Sequence, residues 1–331
     1  MADKRSALPI HGDSEKLKLG FYWASSCGGC DIAMLEIGDK ILDLSEKADI
    51  LFWPCIADFK YEDVRAMPHE HFDVVFFNGS IRDNHQEEIA ELLRDRSKIL
   101  IAFGACAHLG GIPSLANFYT LDSMLEKAFM NGQSTVNPDR TLPQVVTEVP
   151  EGSIGLPPLH ELVKPLWRVV PVDYTIPGCP PAADQIWNAI TAIVGGKLPK
   201  RGRIIGAGDK SVCDECPLEK KEIKIKNIYR PFEKKPEPDW CLLEQGFVCM
   251  GPATRSGCGA RCLKANMPCR GCYGPVPGTE DQGAAMIGAI GSLLETGDDE
   301  EAARLMEKVV DPAGTFYRFS MGASLLRKAK T

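Results

Sequence analysis

Apolar positions in the first two hundred residues come in short runs separated by amphipathic stretches. Residues 17–23 form a compact apolar run that ends at a glycine–cysteine turn. Residues 30–44 follow with Ile32, Leu35, Ile37, Ile41, Leu42 and Leu44 mostly at helical spacing. Residues 49–53 and 73–77 have the length and composition of strands. A polar helix is predicted over 84–96 and a strand over 98–103. Residues 166–176 then read as strand and 181–194 as helix, with Pro180-Pro181 placed to start it. Strands alternating with helices predict an α/β fold, a flavodoxin-like open parallel sheet.

The pattern weakens between 113 and 165. A helix is predicted over 123–130, but 131–158 is rich in Pro, Gly and polar residues and reads as a surface excursion rather than a catalytic lid. Gly195-Gly196-Lys197-Leu198-Pro199 marks a boundary, and 200–208 has linker composition. The chain thus divides into a sheet domain over 1–200 and a Cys-rich C-terminal domain with short helices over 201–331. Two closing helices are expected at 280–294 and 299–310. So little periodic apolar pattern between them and the boundary calls for another source of stability, and metal coordination supplies one.

Composition narrows the function. The 331 residues are 44% hydrophobic and 25% charged, which excludes a disordered chain. Lys+Arg 38 against Asp+Glu 45 leaves a net charge of −7, unsuited to general binding of nucleic acid or anionic membrane. The longest apolar candidates, 99–107 and 284–294, fall short of the run of about 18 residues that spans a bilayer. The opening residues 1–10 carry neither an apolar signal core nor a twin-arginine pair, so a cytoplasmic location is expected. In that reducing compartment disulfides are rare, and spaced cysteines more often bind metal.

The chain has 13 cysteines, far below the roughly 8–10% of a disulfide scaffold. Cys27-Gly-Gly-Cys30 follows the first strand and opens the first helix. Cys106 sits in Phe103-Gly-Ala-Cys-Ala-His-Leu-Gly-Gly-Ile-Pro113, and Cys179 in Ile176-Pro-Gly-Cys-Pro-Pro181. All four fall at carboxyl ends of predicted strands, the edge where open α/β sheets bind ligands. Four thiolates there suit a [4Fe–4S] cluster or zinc. One Cys-x-x-Cys with two distant single cysteines is unlike the paired knuckles of structural zinc, and the Cys-Pro steps at Cys179 and Cys216 match the proline ending ferredoxin motifs.

Eight further cysteines make two more sets of four. Sequential grouping gives Cys213, Cys216, Cys241 and Cys249, then Cys258, Cys262, Cys269 and Cys272. Interleaved ligation also occurs in two-cluster ferredoxins, so Cys249 and Cys258 could exchange, and two structural zincs remain the alternative. Cys55 is left over, a small buried hydrophobe by expectation. His69, His71 and His85 lie in polar stretches and are expected to be solvated. His108, two residues after Cys106, is expected beside the first set as a hydrogen-bond partner or proton carrier. The basic run Lys220-Lys221-Glu-Ile-Lys224-Ile-Lys226 reads as a solvated face that could steer an acidic redox partner. No Walker loop, dinucleotide fingerprint or nucleophile elbow is present.

These motifs together resemble the small subunit of [NiFe] hydrogenases over nearly the whole chain. Asp214-Glu-Cys-Pro-Leu, Cys241-Leu-Leu-Glu-Gln-Gly, Gly251-Pro-Ala-Thr-Arg-Ser-Gly-Cys-Gly-Ala and Pro268-Cys-Arg-Gly-Cys-Tyr-Gly-Pro are similar to the gamma subunits of the cytoplasmic, methyl-viologen-reducing group that does not reduce coenzyme F-420. The resemblance implies a proximal [4Fe–4S] cluster on Cys27, Cys30, Cys106 and Cys179, facing a nickel–iron centre in a separate large subunit. It also implies a distal [4Fe–4S] on Cys213, Cys216, Cys241 and Cys249, and a medial [4Fe–4S] on Cys258, Cys262, Cys269 and Cys272. Cys213 stands where periplasmic relatives have a histidine, and Cys262 provides a fourth ligand where theirs often lack one. The implied partners are the large subunit, a [2Fe–2S] delta subunit and a heterodisulfide reductase. Two other readings are the cluster-bearing subunit of a quinone oxidoreductase, which shares the sheet domain but lacks the eight-cysteine extension, and a zinc-stabilised binding module.

Overall fold

A strand buried at every position must be covered on both faces, and Phe72–Asn78 is such a strand. In the computed structural model, which describes residues 16–56, 60–222 and 224–328, it is the middle of a five-stranded parallel sheet. The chain runs β1 (Leu17–Trp23), α1 (Gly29–Leu35), α2 (Lys40–Lys47), β2 (Ala48–Phe52), α3 (Tyr61–Ala66), β3 (Phe72–Asn78), β4 (Ile81–Asp83), α4 (Asn84–Arg96), β5 (Ser97–Phe103) and α5 (Gly104–Leu109). Then come α6 (Leu121–Phe129), β6 (Val146–Val149), β7 (Gly152–Gly155), β8 (Leu159–Lys164), β9 (Tyr174–Ile176) and α7 (Ala183–Val194). The sheet order is β2-β1-β3-β5-β9. Counting only its own strands, that is the flavodoxin order 2-1-3-4-5.

Alternating side chains of these strands feed two separate cores. On one face Phe21, Phe76 and Ile101 pack with Met34 of α1 and Ile186 and Ile190 of α7. On the other, Tyr22, Phe77 and Leu100 pack with Val64 of α3 and Ile89 and Leu93 of α4. The start of α4 is fixed by Asp83, whose carboxylate accepts the Gln86 N–H at 2.8 Å. Its last turn places Arg94 against Asp173 at 2.6 Å, and Asp173 also accepts from Leu100 N–H at 2.8 Å and from Arg201.

Two expectations are corrected and a third is refined. The helix over 30–44 is two helices, α1 and α2, broken at Gly38, which adopts a left-handed φ of 65°. Of the strand over 166–176 only β9 is realised; Leu166–Arg168 is a single 3-10 turn, and Pro171 cannot donate to a ladder. The excursion over 131–158 contains the exposed hairpin β6–β7, with Val146 opposite Gly155.

Beyond the sheet, α8 (Arg261–Lys264), α9 (Gln282–Leu293), α10 (Asp299–Glu307) and α11 (Pro312–Phe316) stand among irregular segments. Ile205 still packs in the first core, while Val212 begins a third core with Ile225, Leu242, Phe247, Met286, Ile290 and Phe316. This core is drawn from scattered segments, so no apolar period announces it. Among the described residues no helix is long and apolar enough to cross a membrane. Residues 1–10, on which the expected lack of an export leader rests, lie outside the described residues.

Candidate functional site

The carboxyl edge of the sheet gathers the first four cysteines. β1 leads to Cys27 and to Cys30 in α1, β5 leads to Cys106 in α5, and β9 leads to Cys179, whose peptide bond to Pro180 is cis. The Ala105 N–H donates to Gly178 O at 2.7 Å, joining the β5 and β9 ends. Two glycines make room for sulfur. A Cβ on Gly104 would stand 2.4 Å from Cys30 Sγ, and one on Gly111 would stand 2.4 Å from Cys106 Sγ. Both residues have positive φ, 86° and 60°, so side-chain-bearing residues are excluded twice over.

Cys30 and Cys106 are buried, Cys179 is partly buried and Cys27 is exposed. Burial, and then the neighbouring thiols of Cys106 and Cys179, hold the Cys30 thiol well above its ordinary range. Burial and the thiols of Cys179 and Cys27 push Cys106 up to about 12. Four thiols so placed repel one another as thiolates and are stabilised when a cationic centre binds them. Next to Cys30, the buried Asp31 carboxylate accepts from Trp53 Nε1 at 2.9 Å and Asn78 Nδ2 at 2.6 Å. Cys55, exposed rather than buried, directs its thiol to Asp31 Oδ1 at 3.7 Å.

The other eight cysteines lie around the third core. Burial pushes Cys213 up to about 11 against the opposing pull of Lys220, with Cys241 and Cys216 as thiol neighbours. A Cβ on Gly251 would stand 3.2 Å from Cys213 Sγ and 3.5 Å from Cys249 Sγ, so both sulfurs flank one glycine. Cys249 also accepts the Cys269 N–H at 3.3 Å and thus stands between the two sets. A cavity of about 300 Å3 is lined by Cys258, Cys262, Cys269 and Cys272, with Cys179 of the first set on its wall. Burial and then Cys269, Cys258 and Cys179 raise the Cys272 thiol. The Cys258 thiol faces Glu215 Oε1 at 3.4 Å, and the same carboxylate accepts from Gly257 N–H at 3.0 Å and Ala260 N–H at 3.2 Å.

Asp31 and Glu215 were not among the residues expected from the sequence. Their signal was there: each carboxylate directly adjoins a cysteine of a Cys-x-x-Cys pair. His69 is solvent-exposed and pairs with Asp95 at 2.9 Å, while His85 lies edge-on to Tyr61. His71 is partly buried, which lowers its pKa. His108 Nδ1 has no hydrogen-bond partner among the described residues, and burial lowers its pKa to about 4. Lys221 lies over the Trp240 ring and Lys226 pairs with Glu222 and Glu295, so much of the basic run is already engaged.

Thiol donors, a low-dielectric setting and glycine-lined space around the sulfurs fit iron–sulfur clusters, with Cys27, Cys30, Cys106 and Cys179 as the first set. Among the described residues no three Cys, His, Asp or Glu side chains are gathered as for one metal ion.

The family model described as NADH ubiquinone oxidoreductase, 20 Kd subunit, matches residues 27–193. The iron-sulfur subunit of the F420-non-reducing hydrogenase of Archaeoglobus profundus is 38% identical over 318 residues, covering 94% of this chain and 98% of that protein. The corresponding subunit of the F420-non-reducing hydrogenase of Methanothermobacter thermautotrophicus is 39% identical over 318 residues, covering 95% and 97%. Among solved structures, an NAD+-reducing [NiFe]-hydrogenase in the H2-reduced state has 29% identity and a TM-score of 0.48, covering 56% of this chain and 94% of that one.

Proposed function

The chain belongs to the family of F420-non-reducing [NiFe] hydrogenase small subunits, and on that premise we propose that it relays electrons from hydrogen oxidation in a large partner subunit through three [4Fe–4S] clusters. The observation that carries this reading is a continuous path of cysteines. Cys179 of the first set lines one cavity with Cys258, Cys262, Cys269 and Cys272, and the Cys269 N–H donates to Cys249 Sγ at 3.3 Å. Gly251 then links Cys249 to Cys213. When bound, iron–sulfur clusters supply one-electron acceptance and release.

The residues of this chain hold, space and shield those groups. Cys27, Cys30, Cys106 and Cys179 are the proximal ligands, Cys258, Cys262, Cys269 and Cys272 the medial ones, and Cys213, Cys216, Cys241 and Cys249 the distal ones. The backbone N–H of Cys269, pointing at Cys249 Sγ, is a donor of the kind that raises a reduction potential. Burial excludes water from Cys30, Cys106, Cys249 and Cys269. Residues 1–200 carry the proximal set and 201–331 the other two. The proposed setting is the cytoplasm, with the large subunit at the proximal end and a [2Fe–2S] subunit and heterodisulfide reductase at the distal end.

The quinone-oxidoreductase reading has the family model over 27–193 on its side. The hydrogenase relatives match 94% and more of the chain, including the eight-cysteine extension that the quinone-oxidoreductase model leaves out. Anaerobic purification tests the proposal. The expected product is brown, carries about twelve irons per chain and brings a nickel-containing large chain with it. A colourless zinc protein without that chain overturns it.

A further inference from the structure

The edge that gathers the first four cysteines is closed by a segment from far along the chain. Gly111 N–H donates to Phe319 O at 3.1 Å. Gly322 N–H donates to the Ser114 hydroxyl at 3.0 Å, across 208 positions of sequence. That hydroxyl in turn donates to Gly111 O at 2.7 Å, so one side chain ties the Gly110–Gly111 turn to the segment crossing it. Ser114 is buried, and a partner lost there is not replaced by solvent. The crossing is close: a Cβ on Gly322 would stand 2.9 Å from Leu109 O and 3.1 Å from Gly110 Cα.

Two cysteine sets meet at this crossing. Gly110 N–H ends α5 by donating to Cys106 O at 2.9 Å, and Gly111 is the residue whose missing side chain leaves room for Cys106 Sγ. On the other side, Phe319 lines the cavity of Cys258, Cys262, Cys269 and Cys272. Two successive glycines, here at φ 94° and 60°, have many alternative conformations, so the turn needs an outside restraint. The far end of the 3-10 turn Ile112–Phe118 has its own anchor. There Asn117 exchanges two hydrogen bonds with the Val163 backbone, at 3.0 and 2.8 Å. What Ser114 adds is therefore local to the Gly110–Gly111 turn.

We infer that Ser114 is a positioning residue for Cys106, and that residues 319–322 complete the proximal site from the C-terminal region. This role rests on the proximal assignment proposed above and extends it: the sheet domain supplies all four sulfurs but does not by itself fix the turn that seats one of them. Groups that orient a ligand without touching the metal govern how firmly the metal is held. Ser114 acts in that way, through the Gly110–Gly111 backbone.

The test uses the anaerobic holoenzyme with Ser114→Ala, which removes the tie, and separately with Gly322→Ala, which keeps Ser114 but pushes the segment off the turn. Gly291→Ala in α9, with nothing within 4 Å of the added carbon, is the control from the same region. Low-temperature EPR of the reduced complex follows two signals, the one that Cys27→Ser alters and the one that Cys213→Ser alters. In both test variants the Cys27-dependent signal is expected to shift or weaken, and its iron to pass to a ferrous chelator about tenfold faster or more. The Cys213-dependent signal keeps the intensity it has in the control. An unchanged Cys27-dependent signal in Ser114→Ala, or parallel loss of both signals, overturns the positioning role. Should Ser114→Ala yield no complex, Gly322→Ala decides on the same two signals. If Cys27→Ser alters no signal of the unmodified complex, the proximal assignment itself is overturned instead.

Discussion

The Asn78 amide at the end of β3 donates to the Asp31 carboxylate at 2.6 Å, across 47 positions of sequence, in the buried layer beside Cys30. The other Asp31 oxygen accepts from the Trp53 indole. A buried carboxylate is tolerated because donors surround it, and their loss is the reason to expect a large effect. Asp31→Ala leaves the indole and amide unpaired and costs about 2–4 kcal/mol, read as a fall in the thermal midpoint of the complex. Asp31→Asn, which keeps one acceptor, falls by less. Equal midpoints for wild type and alanine variant would show that the carboxylate is structurally idle.

Gly104 and Gly111 offer a steric test of the proximal set. A methyl group at either meets sulfur at 2.4 Å on a backbone of positive φ. Each Gly→Ala change is expected to lower iron from about twelve to about eight per chain. Gly196→Ala is the control, because its φ of 62° imposes similar backbone strain with nothing within 4 Å of the added carbon. If all three variants lose iron alike, strain rather than crowding of sulfur is responsible.

Cys27→Ser and Cys179→Ser interrupt the relay at its proximal end. Hydrogen–deuterium exchange by the complex, which needs no electron exit, is expected to persist while viologen reduction falls by at least about a hundredfold, the loss of more than roughly 2.7 kcal/mol of rate-limiting transfer. Normal viologen reduction by either variant would sink the proximal assignment.

Cys249 flanks Gly251 with Cys213 yet accepts the Cys269 N–H. Under the sequential grouping, Cys249→Ser and Cys258→Ser perturb two different clusters. Anaerobic EPR titration of each variant should therefore show a different signal altered, Cys249→Ser together with Cys213→Ser, and Cys258→Ser together with Cys272→Ser. The interleaved grouping predicts that the Cys249 and Cys258 partners exchange.

The strands were readable because their covered faces demand uninterrupted apolar runs, and β3 and β5 follow those runs closely. The break between α1 and α2 was hidden because Ile37 and Ile41 continue an apolar rhythm straight through Gly38. β4 and β8 escaped notice because three and six mixed residues carry no period, and only their antiparallel pairing, Ile81 with Lys164, makes them strands. The third core was equally silent, since its members come from six or more separated segments.

Cysteine chemistry is local, so motif spacing alone points to three sets of four thiols and one spare, with the exchange of Cys249 and Cys258 left open. Which thiols become neighbours is a matter of chain path. The β2-β1-β3-β5-β9 order brings Cys30, Cys106 and Cys179 to one edge from strands far apart in sequence. The same packing sets Cys272 and Cys179 on the wall of one cavity, turns Cys55 toward Asp31 and leaves Arg230, Arg270, Lys308 and Arg318 around one recess. Spacing along a chain records what each residue can bind, whereas charge and sulfur act through distances of a few ångströms that exist only once the chain is folded.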